Sequence, residues 1–264
     1  MRELVEQLAK GQRLDTKSLS ALLKQCTLDD SLLQFLRDYA VRTARQQFGL
    51  GIYIRGLIEL SSYCRNDCLY CGLRRSNRSA ERYRLTADEV LECCREGYKL
   101  GFRTFVMQGG EDGTHSDAWL EELICRIRSL YPDVAITLSL GERSEESYRR
   151  LKRAGANRYL LRHEAADEEL YASLHPDSRG IKHRLSCIEA LQRAEYQVGM
   201  GMMIGVKGQT IDHIAEDLLL VKKYDCQMVG IGPFLPHRAT PLGEEPAGDL
   251  RLTLAAVAIA RLLL

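Results

Sequence analysis

The chain has 264 residues, of which 45% are hydrophobic and 28% are charged, and its formal net charge is +1. This composition is that of a globular protein with a sizeable core, and it lacks the basic excess that a large nucleic-acid interface needs. No apolar run reaches the roughly 18 residues of a membrane span, and the N-terminus lacks the apolar stretch of a signal peptide. We therefore expect a cytoplasmic protein without a nucleic-acid or membrane partner, whose nine cysteines are mostly reduced.

The first part of the chain, residues 1–50, is predicted to be a helical segment. Apolar side chains recur at helical spacing from Asp30 to Phe48, the segment Thr27–Asp30 supplies an N-cap signal, and Gly49 follows as a stop. This pattern predicts a helix over residues 30–48.

From residue 51 onwards, short apolar runs rich in β-branched residues alternate with amphipathic stretches. The runs predict strands at 52–60, 103–108, 134–139, 157–162, 197–204 and 226–232. The stretches between and after them predict helices near 86–100, 116–130, 144–154, 183–194, 210–223 and 251–264. Thr86 and Glu89 match a capping box, and Gly101 and Gly155 are helix stops.

Six strand–helix units in tandem predict an α/β fold with a parallel sheet over residues 51–264, either doubly wound or curled into a (βα) barrel. Polar and glycine-rich segments follow most of the predicted strands. In a barrel these loops share one rim, where the active site lies, whereas a doubly wound sheet concentrates its chemistry at one or two switch points. The spread of polar segments favours the barrel.

Three closely spaced cysteines, Cys64, Cys68 and Cys71, directly follow the first predicted strand. A 4Fe–4S cluster normally takes one cysteine per iron, so three thiolates would leave the fourth iron open to a small ligand. A zinc site needs a fourth ligand, and the nearest histidine, His115, is far along the chain. Three unrelated core cysteines are the other alternative, but the residues between the cysteines are largely polar. The spacing therefore favours an iron–sulfur cluster.

The pattern Cys-x3-Cys-x2-Cys, with the aromatic Tyr70 before its last cysteine, resembles the radical S-adenosylmethionine (SAM) superfamily. Gly109-Gly110-Glu111, after the second strand, resembles that superfamily's segment for the SAM amino group. Five ordered blocks are together similar to HydE, a family of FeFe-hydrogenase maturases: 63–75, 108–112, 137–142, 159–164 and 228–237. The resemblance covers roughly residues 2–264. It implies a radical SAM barrel with a 4Fe–4S cluster and SAM as cofactors.

The family continues for two more strand–helix units beyond the last helix of this chain. We therefore expect a barrel that is incomplete at its C-terminal end and open on one side. The substrate residues that the family supplies from its last strands, and its sometimes-present second cluster site, are absent from this sequence.

The resemblance also implies roles for individual residues. Cys64, Cys68 and Cys71 would bind the cluster, and no catalytic side chain is implied beyond the cluster and SAM. The implied SAM contacts are Tyr70, Gly109, Gly110, Glu111, Ser139, Glu164, Arg184, Met203 and Ile231. The implied substrate cavity is lined by Thr137, Leu160 and Arg162.

Among the SAM contacts, Tyr70, Met203 and Ile231 would enclose the adenine. The glycines and Glu111 would meet the amino group, while Glu164 would bind the ribose and Arg184 the carboxylate. Carboxylates can accept hydrogen bonds from hydroxyl or ammonium groups, and guanidinium groups can grip carboxylates with two hydrogen bonds.

Each of these roles has a structural alternative. Glu111 would be a loop or helix-start acid, Arg184 would lie on a solvated helix face, and Arg162 and Glu164 would form only an ion pair. Met203 would be a core residue.

Thr137 and Ser139 lie on one side of their strand by two-residue alternation, which suits a cavity wall or a packed barrel layer equally. His163 should point away from Arg162 and Glu164, and we expect it to pack outside the barrel.

A run of arginines follows the cysteine motif. These residues are Arg74, Arg75, Arg78, Arg82 and Arg84. We expect a solvated loop, and the alternative is a docking site for an anionic partner or a redox protein.

The function that the resemblance implies is reductive cleavage of SAM to methionine and a 5′-deoxyadenosyl radical, in assembly of the FeFe-hydrogenase di-iron site. It further implies a small cysteine-bound iron substrate, other hydrogenase maturases as partners, and a low-potential electron donor of the ferredoxin or flavodoxin type. The first alternative is a related radical SAM mutase or sulfur-inserting enzyme, of the methylornithine synthase or biotin synthase type. The alternative of another class is a non-catalytic iron–sulfur or zinc binding module.

Overall fold

The computed structural model describes residues 1–264. Three helices come first, α1 (Arg2–Ala9), α2 (Thr16–Leu28) and α3 (Asp30–Phe48). The strands are β1 (Gly56–Ser61), β2 (Thr104–Gly109), β3 (Ala135–Ser139), β4 (Arg158–Leu160), β5 (Gln197–Ile204) and β6 (Met228–Pro233). The remaining helices are α4 (Ala87–Lys99), α5 (Asp117–Leu130), α6 (Glu145–Ala154), α7 (Glu168–Leu174), α8 (Ile181–Arg193), α9 (Ile211–Lys223) and α10 (Leu250–Leu263).

All six strands form one parallel sheet in the order β1-β2-β3-β4-β5-β6. Each strand pairs with the next one along the chain, so the sheet has no point at which the strand order reverses. A doubly wound sheet requires such a reversal, whereas a (βα) barrel does not. The predicted barrel arrangement is therefore confirmed. β1 and β6 are the two edges of the sheet.

The two faces of the sheet differ in what covers them. On the outer face, Phe105, Ile136, Tyr159 and Val198 pack with the surrounding helices in one core cluster. The N-terminal helices share a second cluster with α9, α10 and the end of β5. Because side chains alternate along a strand, the neighbours of the outer residues line the inner face.

Local sequence signals account for the helix ends. Asp29 accepts hydrogen bonds at the start of α3, and Gly49 ends that helix with a φ of 68° that favours glycine. Thr86 and Glu89 form the predicted capping box of α4. No helix of the structure has both the length and the apolar character that crossing a bilayer requires.

Three local features differ from the sequence prediction or refine it. β1 begins at Gly56 and not at residue 52, and Ile52 is 89% exposed. The helix α7 was not predicted, and β4 ends at Leu160, before Arg162. His163 is fully buried, with its Nε2 3.1 Å from the Oδ1 of Asp217 on the outer helix α9. The prediction that His163 packs outside the barrel is confirmed.

Candidate active site

The loop between β1 and α4, which we call the cluster loop (residues 62–86), contains the three cysteines of the motif. The Sγ of Cys64 lies 3.4 Å from the backbone nitrogens of both Asn66 and Glu111, which donate to it. Burial raises the pKa of the Cys68 thiol to about 12, and the neighbouring Cys71 and Cys64 add to the shift. All three thiols of the motif are free.

These cysteines do not form a site for one small ion. No group of three or more Cys, His, Asp or Glu side chains in the chain converges in a way that could hold a single metal ion. A structural zinc site needs four ligands around one point. The zinc alternative is therefore not supported by this arrangement. A cluster with one thiolate per iron places its ligands around a larger group.

Side chains of the arginine run hold the cluster loop together. Arg82 donates to four backbone carbonyl oxygens, which belong to Ser62, Leu73, Arg74 and Asn77. The guanidinium of Arg74 lies 2.7 Å from the carboxylate of Asp67, and both side chains are largely buried. Arg84 pairs with Asp112 at 2.6 Å. The expectation of a solvated loop is therefore wrong for Arg74 and Arg82, whereas Arg84 is exposed although it is paired.

The loop after β2 lies directly on the cluster loop. A Cβ atom on Gly110 would be 2.2 Å from the carbonyl oxygen of Tyr63 and 2.6 Å from the Cβ of Cys64, so only glycine permits this approach. The next residue, Glu111, has a side chain that is 9% exposed and an Oε2 2.7 Å from Arg65. Its Oε1 accepts from the backbone nitrogen of Glu142 at 3.1 Å. The Glu111 side chain is thus buried and paired within the rim and is not a solvated loop acid.

Arg184, in the first turn of α8, points into the same region. Its side chain is 12% exposed, its Nε lies 3.0 Å from the Oε1 of Glu142, and it donates to the Tyr171 hydroxyl. Burial alone would lower the pKa of Arg184, but the neighbouring Tyr171 and Glu142 raise it above its ordinary value. The alternative of a solvated helix face is wrong. Arg184 and Cys68 help to line one cavity of about 310 Å³.

Sequence reasoning missed His175, which follows α7 and lines that cavity. Its Nδ1 lies 2.8 Å from the carbonyl oxygen of Tyr171, and its Nε2 lies 2.8 Å from the Tyr70 hydroxyl. Burial lowers the pKa of His175 to about 4, so the ring is neutral at pH 7. A buried tyrosine hydroxyl usually needs a partner. The only sequence signal for His175 was that the Tyr70 hydroxyl would need a hydrogen-bond partner if it were buried. The sequence did not identify that partner.

The inner wall beside β3 and β4 has polar atoms without partners. They are the Oγ1 of Thr137, the Nε and Nη2 of Arg162 and the Oε2 of Glu164. Arg162 Nε lies 3.1 Å from Glu164 Oε1, but without hydrogen-bond alignment. Glu164 also has a φ of 66°, which is strained for a residue other than glycine. Because buried polar atoms are normally paired, this wall is suited to a polar ligand.

The remaining residues that the sequence predicted to contact SAM or substrate do not all lie on the same face of the sheet. Ser139 is on the same face of β3 as Thr137. Met203 and Tyr70 both pack against one small apolar cluster. Leu160 faces the inner side, where its Cδ1 would be 2.7 Å from a Cβ on Gly199.

Ile231 lies on the other face. It pairs with Met202, the strand neighbour of Met203, and packs against the cluster of the N-terminal helices. Successive residues of a strand point to opposite faces, so Ile231 is turned away from Met203. This placement corrects the expectation that both enclose the same adenine.

Residues 58–221 match the family model of the radical SAM superfamily. The chain belongs to this superfamily. Membership implies a 4Fe–4S cluster and SAM as cofactors. The three free thiols, the two N–H groups directed at Cys64 and the close approach of Gly110 all fit a cluster held by the cluster loop.

Relatives within the radical SAM superfamily agree with the resemblance seen in the sequence. The chain is 46% identical over 220 residues to the [FeFe] hydrogenase maturase subunit HydE of Thermotoga maritima, a match that covers 83% of this chain and 62% of the relative. The structure resembles that of methylornithine synthase (PylB), with a TM-score of 0.90 and 26% identity over 98% of this chain and 76% of that chain. The maturase HydG of Carboxydothermus hydrogenoformans shares the fold, with a TM-score of 0.84 and 23% identity over 99% of this chain and 62% of that chain.

Proposed function

We propose that this radical SAM protein cleaves SAM reductively and acts as a maturase in assembly of the FeFe-hydrogenase di-iron site. The observation that carries the proposal is the 46% identity to a HydE protein over 220 residues. It is supported by the cluster loop, which contains three free thiols and whose Cys64 lies against the loop after β2.

The cluster would be held by Cys64, Cys68 and Cys71, with N–H groups directed at the first of these sulfurs. When bound, it supplies the electron that breaks a carbon–sulfur bond of SAM. Hydrogen bonds to cluster ligands and exclusion of water are the means by which a protein tunes such a group. Here the backbone nitrogens of Asn66 and Glu111 serve the first purpose.

The residues around the cavity would hold SAM by its polar ends. Arg184, which lines the cavity together with Cys68 and Glu111, would bind the SAM carboxylate. Glu111 with its two preceding glycines would meet the amino group. Glu164 has an unpartnered Oε2 that suits a ribose hydroxyl. The adenine would lie near Tyr70 and Met203, and Ser139 would add a polar contact from the end of β3.

The substrate would lie deeper, against the inner wall. Thr137 and Arg162 have unpartnered polar atoms there, and Leu160 supplies an apolar surface. A guanidinium group and a hydroxyl suit the carboxylate of a small cysteine-bound iron species. Other hydrogenase maturases as partners, and an electron donor of the ferredoxin or flavodoxin type, belong to the same proposal.

A second candidate function is supported by the structural likeness to methylornithine synthase, which extends over 98% of this chain. If this chain had that activity, it would use the same cluster and SAM residues as in the maturase proposal. The two functions would differ in the substrate that the inner wall binds. Conversion of lysine to methylornithine would favour this candidate over the maturase. Conversion of dethiobiotin to biotin would favour a sulfur-inserting enzyme.

The proposal is tested by anaerobic reconstitution with iron and sulfide, reduction in the presence of SAM, and measurement of 5′-deoxyadenosine. We expect a filled cluster and SAM cleavage in the wild type. Cys68→Ala should lose both, whereas Cys93→Ala, an exposed cysteine on α4, should lose neither. Cleavage retained by Cys68→Ala would refute the ligand set. A filled cluster without 5′-deoxyadenosine would favour the non-catalytic binding module.

A further inference from the structure

His175 uses both nitrogens of its ring, although the proposed cofactor contacts do not include it. Its Nδ1 must donate to the Tyr171 carbonyl oxygen, 2.8 Å away, because a carbonyl only accepts. In the neutral ring Nε2 is then an acceptor, and the Tyr70 hydroxyl donates to it over 2.8 Å. The side chain that directly precedes Cys71 is thereby held in one orientation.

From Tyr171 the connection continues across the rim of the sheet. Arg184 Nε lies 3.3 Å from the Tyr171 hydroxyl and 3.0 Å from Glu142 Oε1. The backbone nitrogen of Glu142 donates to Glu111 Oε1 at 3.1 Å, and the backbone nitrogen of Glu111 donates to Cys64 Sγ at 3.4 Å. One chain of polar contacts therefore joins the two ends of the cysteine motif through the loops after β4, β3 and β2.

His175 has a defined place in this series of polar contacts. It connects the side chain of Tyr70 to the helix α7, whose Tyr171 contacts Arg184. The backbone of the cluster loop also contacts α7, because Leu69 N donates to Leu174 O at 3.0 Å. The His175 ring is also stacked on Tyr171, with ring centroids 4.2 Å apart, and lies edge-on to Tyr70 at 5.4 Å. The ring is 4% exposed, so water is largely kept from competing for its two hydrogen bonds.

We propose that His175 is a positioning residue that fixes the distance between Tyr70 and Arg184, and so matches them to the two ends of one SAM molecule. The inference rests on the proposed function, because it assigns Tyr70 to the adenine end and Arg184 to the carboxylate end. In this proposal His175 acts through the side chains of Tyr70 and Arg184 and is not itself assigned a bond to SAM or iron. Its effect is to preorganise two contacts whose ordering would otherwise cost binding free energy.

The test compares two substitutions that each keep one of the two hydrogen bonds. His175→Asn places an amide near the position of Nδ1 and loses the acceptor for Tyr70. His175→Gln places an amide oxygen near the position of Nε2 and keeps that acceptor. Tyr70→Phe removes the donor, and His213→Asn, on the outer helix α9, is the matched histidine control.

The readouts are iron content after reconstitution, the Kd for SAM by equilibrium dialysis, and kcat and KM for 5′-deoxyadenosine formation. We expect full iron content in all variants. His175→Asn and Tyr70→Phe should each weaken SAM binding about tenfold, which is what loss of one hydrogen bond predicts, with a small change in kcat. His175→Gln keeps the acceptor for Tyr70 but loses the bond to Tyr171, so it should weaken SAM binding less than His175→Asn does. The double variant that combines His175→Asn with Tyr70→Phe should be no worse than either single change.

Wild-type affinity in His175→Asn would overturn the inference, and so would additive losses in the double variant or a loss of iron that parallels the loss of SAM binding. Failure of the proposed function has a different signature. It would appear as a reconstituted wild type that does not cleave SAM, whereas the equilibrium-dialysis comparison needs no turnover.

Discussion

The cluster loop and the inner wall are two polar regions of the same rim, and the chain satisfies them differently. In the cluster loop, Arg82 donates to four carbonyl oxygens and Asp67 accepts from Arg74 and Ser76. On the inner wall, Thr137 Oγ1 and Glu164 Oε2 have no partner in the chain. Buried polar atoms cost free energy when they are unpaired.

This difference separates two kinds of site. The cluster loop is held in shape by the chain's own hydrogen bonds. The inner wall keeps unpaired polar atoms, which together with the positive φ of Glu164 lower the stability of the chain alone. Substitutions in the two regions should therefore affect stability in opposite directions.

The largest expected effect is that of Arg82→Met. Removing the guanidinium leaves four carbonyl oxygens without their donor, and we expect the free energy of unfolding of the iron-free protein to fall by about 3 kcal/mol. Iron uptake should fall with it, because the cluster loop loses its internal support. Urea unfolding of the iron-free protein and iron analysis after reconstitution measure the two effects.

Arg78→Met is the matched control for that experiment, because Arg78 is exposed and has no ion pair or side-chain hydrogen bond in the structure. We expect a change within about 0.5 kcal/mol, as for other surface substitutions. Equal losses from the two variants would show that the shape of the loop does not depend on Arg82.

A smaller effect is expected from acid, through His175. Its pKa is about 4 in the fold and about 6.5 in the unfolded chain, so the unfolded state takes up a proton first as the pH falls. The stability that depends on the neutral ring is therefore complete above about pH 6.5 and is lost as the pH falls towards 4. Between pH 7 and pH 5 this linkage amounts to about 2 kcal/mol.

The comparison that isolates this effect is the iron-free wild type against His175→Gln. Urea unfolding at a series of pH values should show a steeper loss of stability in the wild type, because the glutamine does not titrate. Parallel curves for the two proteins would mean that His175 is not kept neutral by burial.

Much of the fold follows from local sequence patterns. The alternation of strands and helices, the capping box of α4 and the glycine at the end of α3 are all present in the structure. The close spacing of the three cysteines was also sufficient to locate the cluster loop. These features depend on residues that are near one another in the chain, which is why the sequence alone predicts them.

The features that were missed depend on contacts between distant residues. The β-branched and aromatic run at 52–54 favours a strand, but the paired residues of the neighbouring strand begin opposite Gly56, so the run has no ladder partner. The orientation of Ile231 required the register of β6 on β5. The internal role of Arg82 required the path of the whole cluster loop, because its four acceptors are backbone atoms that carry no sequence signal.

The smallest effect bears most directly on the comparison of the two regions. Thr137→Val replaces a buried hydroxyl that has no partner by a methyl group of similar size. We expect the iron-free protein to gain about 1 kcal/mol in its free energy of unfolding, because an unsatisfied group is removed. Thr253→Val is the matched control, since the buried hydroxyl of Thr253 donates to Asp249 at 2.7 Å and its removal should cost about 1 kcal/mol.

If the two valine variants changed stability in the same direction, the inner wall would not differ from an ordinary buried region. If Thr137→Val raised the free energy of unfolding and Thr253→Val lowered it, the Thr137 hydroxyl would be shown to destabilise the protein without a ligand. That loss is consistent with a wall that gains its last hydrogen-bond partners from a ligand. A polar group of the ligand can form a hydrogen bond with the threonine hydroxyl but not with a valine side chain. A stabilised Thr137→Val protein that still cleaves SAM but turns over its substrate poorly would place Thr137 in substrate binding and not in SAM cleavage.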